Sequence, residues 1–183
     1  MKLFYVILGA TPKGRNIEQH DVFFGIAESL RELVPAMKNF WPEAKGQIHI
    51  DCYREVSTVD NYRVTVVTKT EQDDPDHLFF INLGGYVPGR FEELHEQFLM
   101  VDESMSNIIK RVKKTTFYRT MGFKNAESHI DDKHGVDIDD IYRVNDLLSA
   151  EMKQNYSIVL EKTSETLVQD QMHIGYLKID KVR

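Results

Sequence analysis

The sequence predicts an α+β protein built as a tandem duplication, each copy running strand–strand–helix–strand–strand. Three observations carry that expectation. Residues Leu3 to Ser29 realign with Leu78 to Ser104, an offset of 75. The pairs Leu3/Leu78, Phe4/Phe79, Leu8/Leu83, Gly9/Gly84, Gly14/Gly89, Arg15/Arg90, Glu18/Glu93, His20/His95, Phe23/Phe98, Glu28/Glu103 and Ser29/Ser104 are identical. Ordinary residue usage would give roughly one or two such matches over a stretch of this length. A second block recurs at an offset of 80, where His49-Ile50-Asp51 matches His129-Ile130-Asp131 and Tyr62-Arg63-Val64 matches Tyr142-Arg143-Val144. Finally, apolar runs of strand length flank a stretch of helical spacing in each copy.

In the first copy, Leu3 to Leu8 is a nearly continuous apolar run ending at Gly9, which suits a strand buried on both faces. Thr11-Pro12-Lys13-Gly14 is turn chemistry, and Val22 to Ala27 reads as the second strand. Ser29 and Glu32 have capping-box spacing, with Leu30, Leu33, Val34, Met37, Phe40 and Trp41 on one helical face. Pro35 lies inside that pattern and is expected to kink or restart the helix. Gln47 to Val56 and Tyr62 to Thr68 are strand-like, the latter alternating Tyr62, Val64 and Val66 against Arg63 and Thr65.

The second copy repeats this with Leu78 to Leu83, Gly84, a Tyr86-Val87-Pro88-Gly89 turn and a strand over Gln97 to Val101. Ile108, Ile109, Val112 and Phe117 mark its helix. Asn155 to Glu161 is expected as the counterpart of the strand at Tyr62. Residues 133–153 are then an insertion with a short helix marked by Ile138, Ile141, Val144, Leu147 and Leu148. Met172 to Ile179 supplies a last strand. The repeats are accordingly placed at 1–70 and 77–183, with Glu71 to Asp76 as a polar joint. So short a joint predicts that the copies pack as one compact unit about a pseudo-twofold axis. The element order is compatible with a β-grasp-like unit, a helix laid across one sheet.

The run LGATPKGRNIEQHDVFFGIAES, then QIHIDCYREV and VDNYRV, then FFINLGGYVPGRFEELHE, resembles the bacterial family known as domain of unknown function 1543, in two tandem copies. The resemblance implies a fold and no reaction. Ala10 stands where the second copy has the second glycine of Leu83-Gly84-Gly85, so the two loops are expected to differ slightly in backbone.

Bulk properties narrow the functional classes. With 183 residues, 42% apolar and 28% charged, the chain reads as an ordinary soluble globular protein. A formal charge of −6 and a pI near 5.6 argue against nucleic acid and anionic membranes as partners. Lys110-Arg111-Val112-Lys113-Lys114 is read as a solvated helix face. Cys52 is the lone cysteine, which excludes an internal disulfide and suits a reducing cytoplasm. Met1-Lys2 and the apolar run to Ala10 faintly resemble a signal peptide, yet the matching stretch Leu78 to Gly85 lies mid-chain, so both are read as strands. No apolar run reaches the ~20 residues of a membrane helix.

Gly9, Gly14 and Arg15, with Gly84, Gly89 and Arg90, echo a phosphate-binding loop. Such a loop needs Gly-Lys-Ser/Thr opening a helix. Here arginine replaces lysine, Asn16 and Phe91 stand at the hydroxyl position, and a strand follows, which excludes nucleoside triphosphate hydrolysis. Backbone donors plus Arg15 or Arg90 would still suit a carboxylate or phosphate. The plainer reading is that the glycines turn the chain. Glu18 with His20, Glu93 with His95, His49 with Asp51, and His129 with Asp131 each place a carboxylate and an imidazole on one side of an extended stretch. Such pairs bind a metal, orient a histidine base, or hold loop backbone in place. His-Glu-x-x-His and paired Cys-x-x-Cys are absent, so no metal and no cofactor is assigned. Arg15 and Arg90 also suit ion pairs with Glu18 and Glu93. Cys52 matches Asp132 in the other copy and is read as packing.

Three functional classes follow. The preferred one is a binding or regulatory module that takes a small anion or a protein, because no catalytic constellation is complete. The second is a metal- or histidine-dependent enzyme, and the third a protein whose sheet edges mediate homodimerisation.

Overall fold

The computed structural model describes residues 1–71, 74–122 and 140–183, and the strand pairing of His129–Ile130. In chain order the elements are β1 (Lys2–Ala10), β2 (Gln19–Ala27), α1 (Val34–Phe40), β3 (His49–Glu55), β4 (Thr58–Val59) and β5 (Tyr62–Thr68). They continue with β6 (His77–Tyr86), β7 (Glu93–Asp102), α2 (Met105–Val112), α3 (Thr116–Thr120), β8 (His129–Ile130) and β9 (Ile141–Arg143). The chain closes with α4 (Val144–Leu147), α5 (Ala150–Asn155), β10 (Tyr156–Lys162) and β11 (His173–Lys178). Helices and antiparallel sheets make this the expected α+β class.

The chain divides into two units, Met1–Gln72 with Leu147–Arg183, and Asp73–Asp146. In the first unit one sheet runs β11-β3-β1-β2 and another β10-β5-β4. Phe4, Val6, Leu8 and Ala10 alternate along β1 and pack with Leu30, Leu33 and Met37, so one face of this sheet is covered by the helical segment. Pro35 does restart the helix: a 3₁₀ turn over Leu30–Leu33 gives way to α1, with the proline in its first turn, where its missing N–H costs nothing. The capping box is only half made. Glu32 accepts from the Glu28 N–H at 3.2 Å and lies 3.3 Å from Ser29 Oγ, but the Ser29 side chain caps no N–H. Phe40 is 41% exposed, so the helical face closes earlier than its spacing suggests.

The second unit pairs β7-β6-β8, with β9 also against β6. Its hairpin has the register of the first. Lys2 faces Ala27 and Gly9 faces His20, while His77 faces Asp102 and Gly84 faces His95, each pair displaced by 75 positions. Phe79, Ile81 and Leu83 pack with Ile108, Val112, Phe117 and Ile141.

Two sequence expectations change. Asn155 to Glu161 was assigned to the second repeat at 77–183, but β10 pairs with β5 from Tyr156↔Thr68 to Lys162↔Tyr62, and β11 pairs with β3. The cause is edge satisfaction. Strands β3 and β5 each offer a free row of backbone donors and acceptors, and the C-terminal strands cover those rows. Ile141 was read as part of a helix in the insertion, yet Ile141–Arg143 is a strand facing Ile81, Phe80 and Phe79. It holds the place on β6 that Tyr53–Glu55 hold on β1 opposite Val6, Tyr5 and Phe4. The helical spacing failed there because the open stretch of the β6 edge at Phe79–Ile81, beyond the β8 pairing, outweighs a short apolar period. Of the inserted stretch, residues 133–139 lie outside the described residues.

Candidate functional site

The first unit gathers four of the expected side chains at one point. Since Phe4, Val6 and Leu8 face the helical layer, Gly9 lies on the opposite face of β1. Gly9 pairs with His20 of β2 on one side and His49 of β3 on the other, so the two histidines flank a residue with no side chain. A Cβ built on Gly9 would stand 2.3 Å from His49 Nε2 and 2.7 Å from Asp51 Oδ2. The glycine therefore leaves the space that the imidazole and the carboxylate fill. This corrects the reading of Gly9 as a turn former. The turns belong to Gly14 and Gly89, with φ of 90° and 82°, where the Arg15 and Arg90 N–H groups donate to Pro12 and Val87 O, both at 3.1 Å.

A β-bulge aims Asp51 at the cluster. Ile7 faces Cys52 and Leu8 faces Ile50, so Asp51 is the extra residue on β3. Strand β11 shifts register at the same level, with Ile174 opposite Cys52 and Leu177 opposite Ile50, and Gly175 takes φ 129°. The shift lays the Tyr176 ring 4.4 Å from the His49 ring.

Each imidazole meets both carboxylates. His20 Nε2 lies 3.2 Å from Asp51 Oδ2 and 3.6 Å from Glu18 Oε2. His49 Nε2 lies 3.1 Å from Glu18 Oε1 and 3.3 Å from Asp51 Oδ1. The side chains grade from interior to solvent: His49 is 9% exposed, Asp51 30%, Glu18 45% and His20 51%. These are ion-pair distances without hydrogen-bond alignment. His49 Nε2 and Asp51 Oδ2 are buried and have no hydrogen-bond partner among the described residues. Buried polar atoms left in that state are uncommon and call for a physical reason.

The other expected residues stand elsewhere. Arg15 is exposed, and its guanidinium makes no ion pair among the described residues. Glu18 accordingly meets histidines rather than Arg15. Arg90 pairs with Glu92, its neighbour but one, rather than Glu93. Glu93 opens β7, and His95 and His129 both face Gly84 across β6, the backbone arrangement that His20 and His49 have about Gly9. Asp131 and the side chain of His129 lie outside the described residues. Burial pushes the Cys52 thiol up, and the Asp51 carboxylate adds to the shift, so the sulfur stays protonated. Among the described residues, no group of three or more His, Cys, Asp or Glu is arranged to hold a metal ion as it stands. No helix there is long and apolar enough to cross a membrane. Sequence reasoning missed Tyr176, which reaches His49 from a strand far along the chain with no local signal.

Residues 15–66 match the family described as Domain of Unknown Function (DUF1543). That span holds Glu18, His20, His49 and Asp51. No curated protein matches the chain. The crystal structure of a protein Il1583 from Idiomarina loihiensis is similar at 22% identity, with a TM-score of 0.55 over 97% of each chain. At that identity the likeness concerns the fold alone.

Proposed function

We propose that this protein is a small-ligand binding module whose site is Glu18, His20, His49 and Asp51, and that its ligand is cationic. The observation that carries the reading is the convergence of both carboxylates on both Nε2 atoms within 3.1–3.6 Å around Gly9. Counting histidine as neutral, the four side chains hold two negative charges and no positive one. A small anion, the ligand the glycine–arginine loop suggested, would meet repulsion here and no guanidinium. A cation would neutralise the carboxylates and satisfy the orphaned atoms of His49 and Asp51. Residues 77–146 are read in the same proposal as a second copy of the domain, supported by the shared hairpin register. A bacterial cytoplasmic setting fits the family resemblance and the single cysteine.

The test is a thermal-shift screen of untagged protein against divalent cations, organic amines, small carboxylates and phosphate. Wild type is compared with the Glu18→Gln/Asp51→Asn double variant. Cations or amines are expected to raise the melting midpoint of wild type and not of the variant. A rise with carboxylates or phosphate, equal in both proteins or confined to wild type, would overturn the cationic assignment.

A further inference from the structure

We infer that the cation is a divalent first-row transition-metal ion, bound by His20 Nε2, His49 Nε2 and one oxygen each of Glu18 and Asp51; this rests on the cationic-site reading above. The first support is spacing. Two donors about 2.1 Å from one ion at a tetrahedral angle stand about 3.4 Å apart. Each imidazole nitrogen already has one oxygen of each carboxylate 3.1–3.6 Å away, close to that value, although the two nitrogens meet different oxygens. The second is orientation. His49 is more than nine-tenths buried, and its Nε2 faces two carboxylates without the alignment of a proton donor. An imidazole nitrogen in that position is set as a metal ligand is. The third is the absence of a side chain at Gly9, which lets His49 Nε2 and Asp51 Oδ2 crowd over the strand at the same point.

Each carboxylate now shows one oxygen to one imidazole and the other oxygen to the second. Closing a coordination shell therefore takes a turn of the Glu18 and Asp51 carboxylates, whose side chains are 45% and 30% exposed. That turn is what separates the present arrangement from a finished cage. Two imidazoles with two carboxylates suit a first-row ion such as zinc, iron, cobalt, nickel or copper. Magnesium and calcium require a shell of oxygens and would leave the nitrogens unused.

The experiment uses chelator-treated, untagged full-length protein titrated calorimetrically with Zn²⁺, and with Co²⁺ read by visible absorption. Wild type is expected to bind, and His49→Ala and Glu18→Gln are each expected to lose one binding equivalent. The surface control His173→Ala, whose ring stacks on Tyr53 away from the cluster, is expected to keep that equivalent. Circular dichroism checks that each variant is folded. Because Glu18 is 45% exposed, Glu18→Gln keeps the test valid even if His49→Ala unfolds. Equal binding by wild type and Glu18→Gln, or none by either, would overturn the metal assignment. If Zn²⁺ and Co²⁺ do not bind while organic amines stabilise wild type alone, the metal falls and the cationic site stands. If neither class acts, both fall.

Discussion

Gly9 shapes the site by contributing nothing but space. Its backbone is ordinary strand, so alanine meets no conformational penalty there, only the His49 ring and the Asp51 carboxylate. Both groups are side-chain ends rather than backbone. We therefore expect Gly9→Ala to cost only about 1 kcal/mol, the low end for overpacking, while abolishing ligand binding. Urea midpoints and calorimetry on the same preparation check the two halves. Loss of stability without loss of binding would mean that the glycine serves packing only. The residue types of this site were legible from the sequence, because Glu18-x-His20 and His49-x-Asp51 have the alternation that puts paired side chains on one strand face. The role of Gly9 was not legible: a glycine that turns the chain and a glycine that makes room look identical until the cross-strand partners are known.

At the scale of elements, two local devices decide how the strands and helices are used. The bulge at Asp51 re-aims a carboxylate that regular alternation would hold further from His20, and its position depends on how β1, β3 and β11 pair. No local pattern announces it. In the second unit, Asp102 ends β7 and ties it to α2. Its Oδ1 accepts from Asn107 Nδ2 and from the Glu103 N–H, both at 2.9 Å, and Arg111 Nη1 lies 3.4 Å from Oδ2. Burial alone would raise the Asp102 pKa, but these donors outweigh it and hold the carboxyl below its usual value. A depressed folded pKa means stability present above the ordinary aspartate value and lost as the pH falls through the lower folded one. Asp102→Ala is thus expected to destabilise by about 1–3 kcal/mol at neutral pH. The gap to wild type should narrow steadily below about pH 4. Denaturant midpoints across that range provide the check. A gap independent of pH would assign the loss to packing instead of charge.

At the scale of the whole molecule, the repeats expected at 1–70 and 77–183 and the compact units are not the same division. The two hairpins and their helices were readable because identities recur at a fixed offset, and each hairpin has the pairing that this offset implies. The fate of residues 147–183 was not readable. Asn155-Tyr156 resembles a strand of the first copy closely enough to suggest equivalence, whereas β10 is that strand's partner. Similar apolar alternation marks both a counterpart and a neighbour in a sheet, and only pairing tells them apart. The consequence reaches the site, since β11 brings Tyr176 against His49. Groups from β2, β3 and the segment before β2 are proposed to act as one site. That proposal is tested most directly by long-range proton–nitrogen NMR of the imidazole rings during titration with Zn²⁺. The Nε2 resonances of His20 and His49 are expected to shift together over the same equivalent, and neither is expected to shift in Gly9→Ala. Independent responses of the two rings, or shifts confined to other histidines, would contradict it.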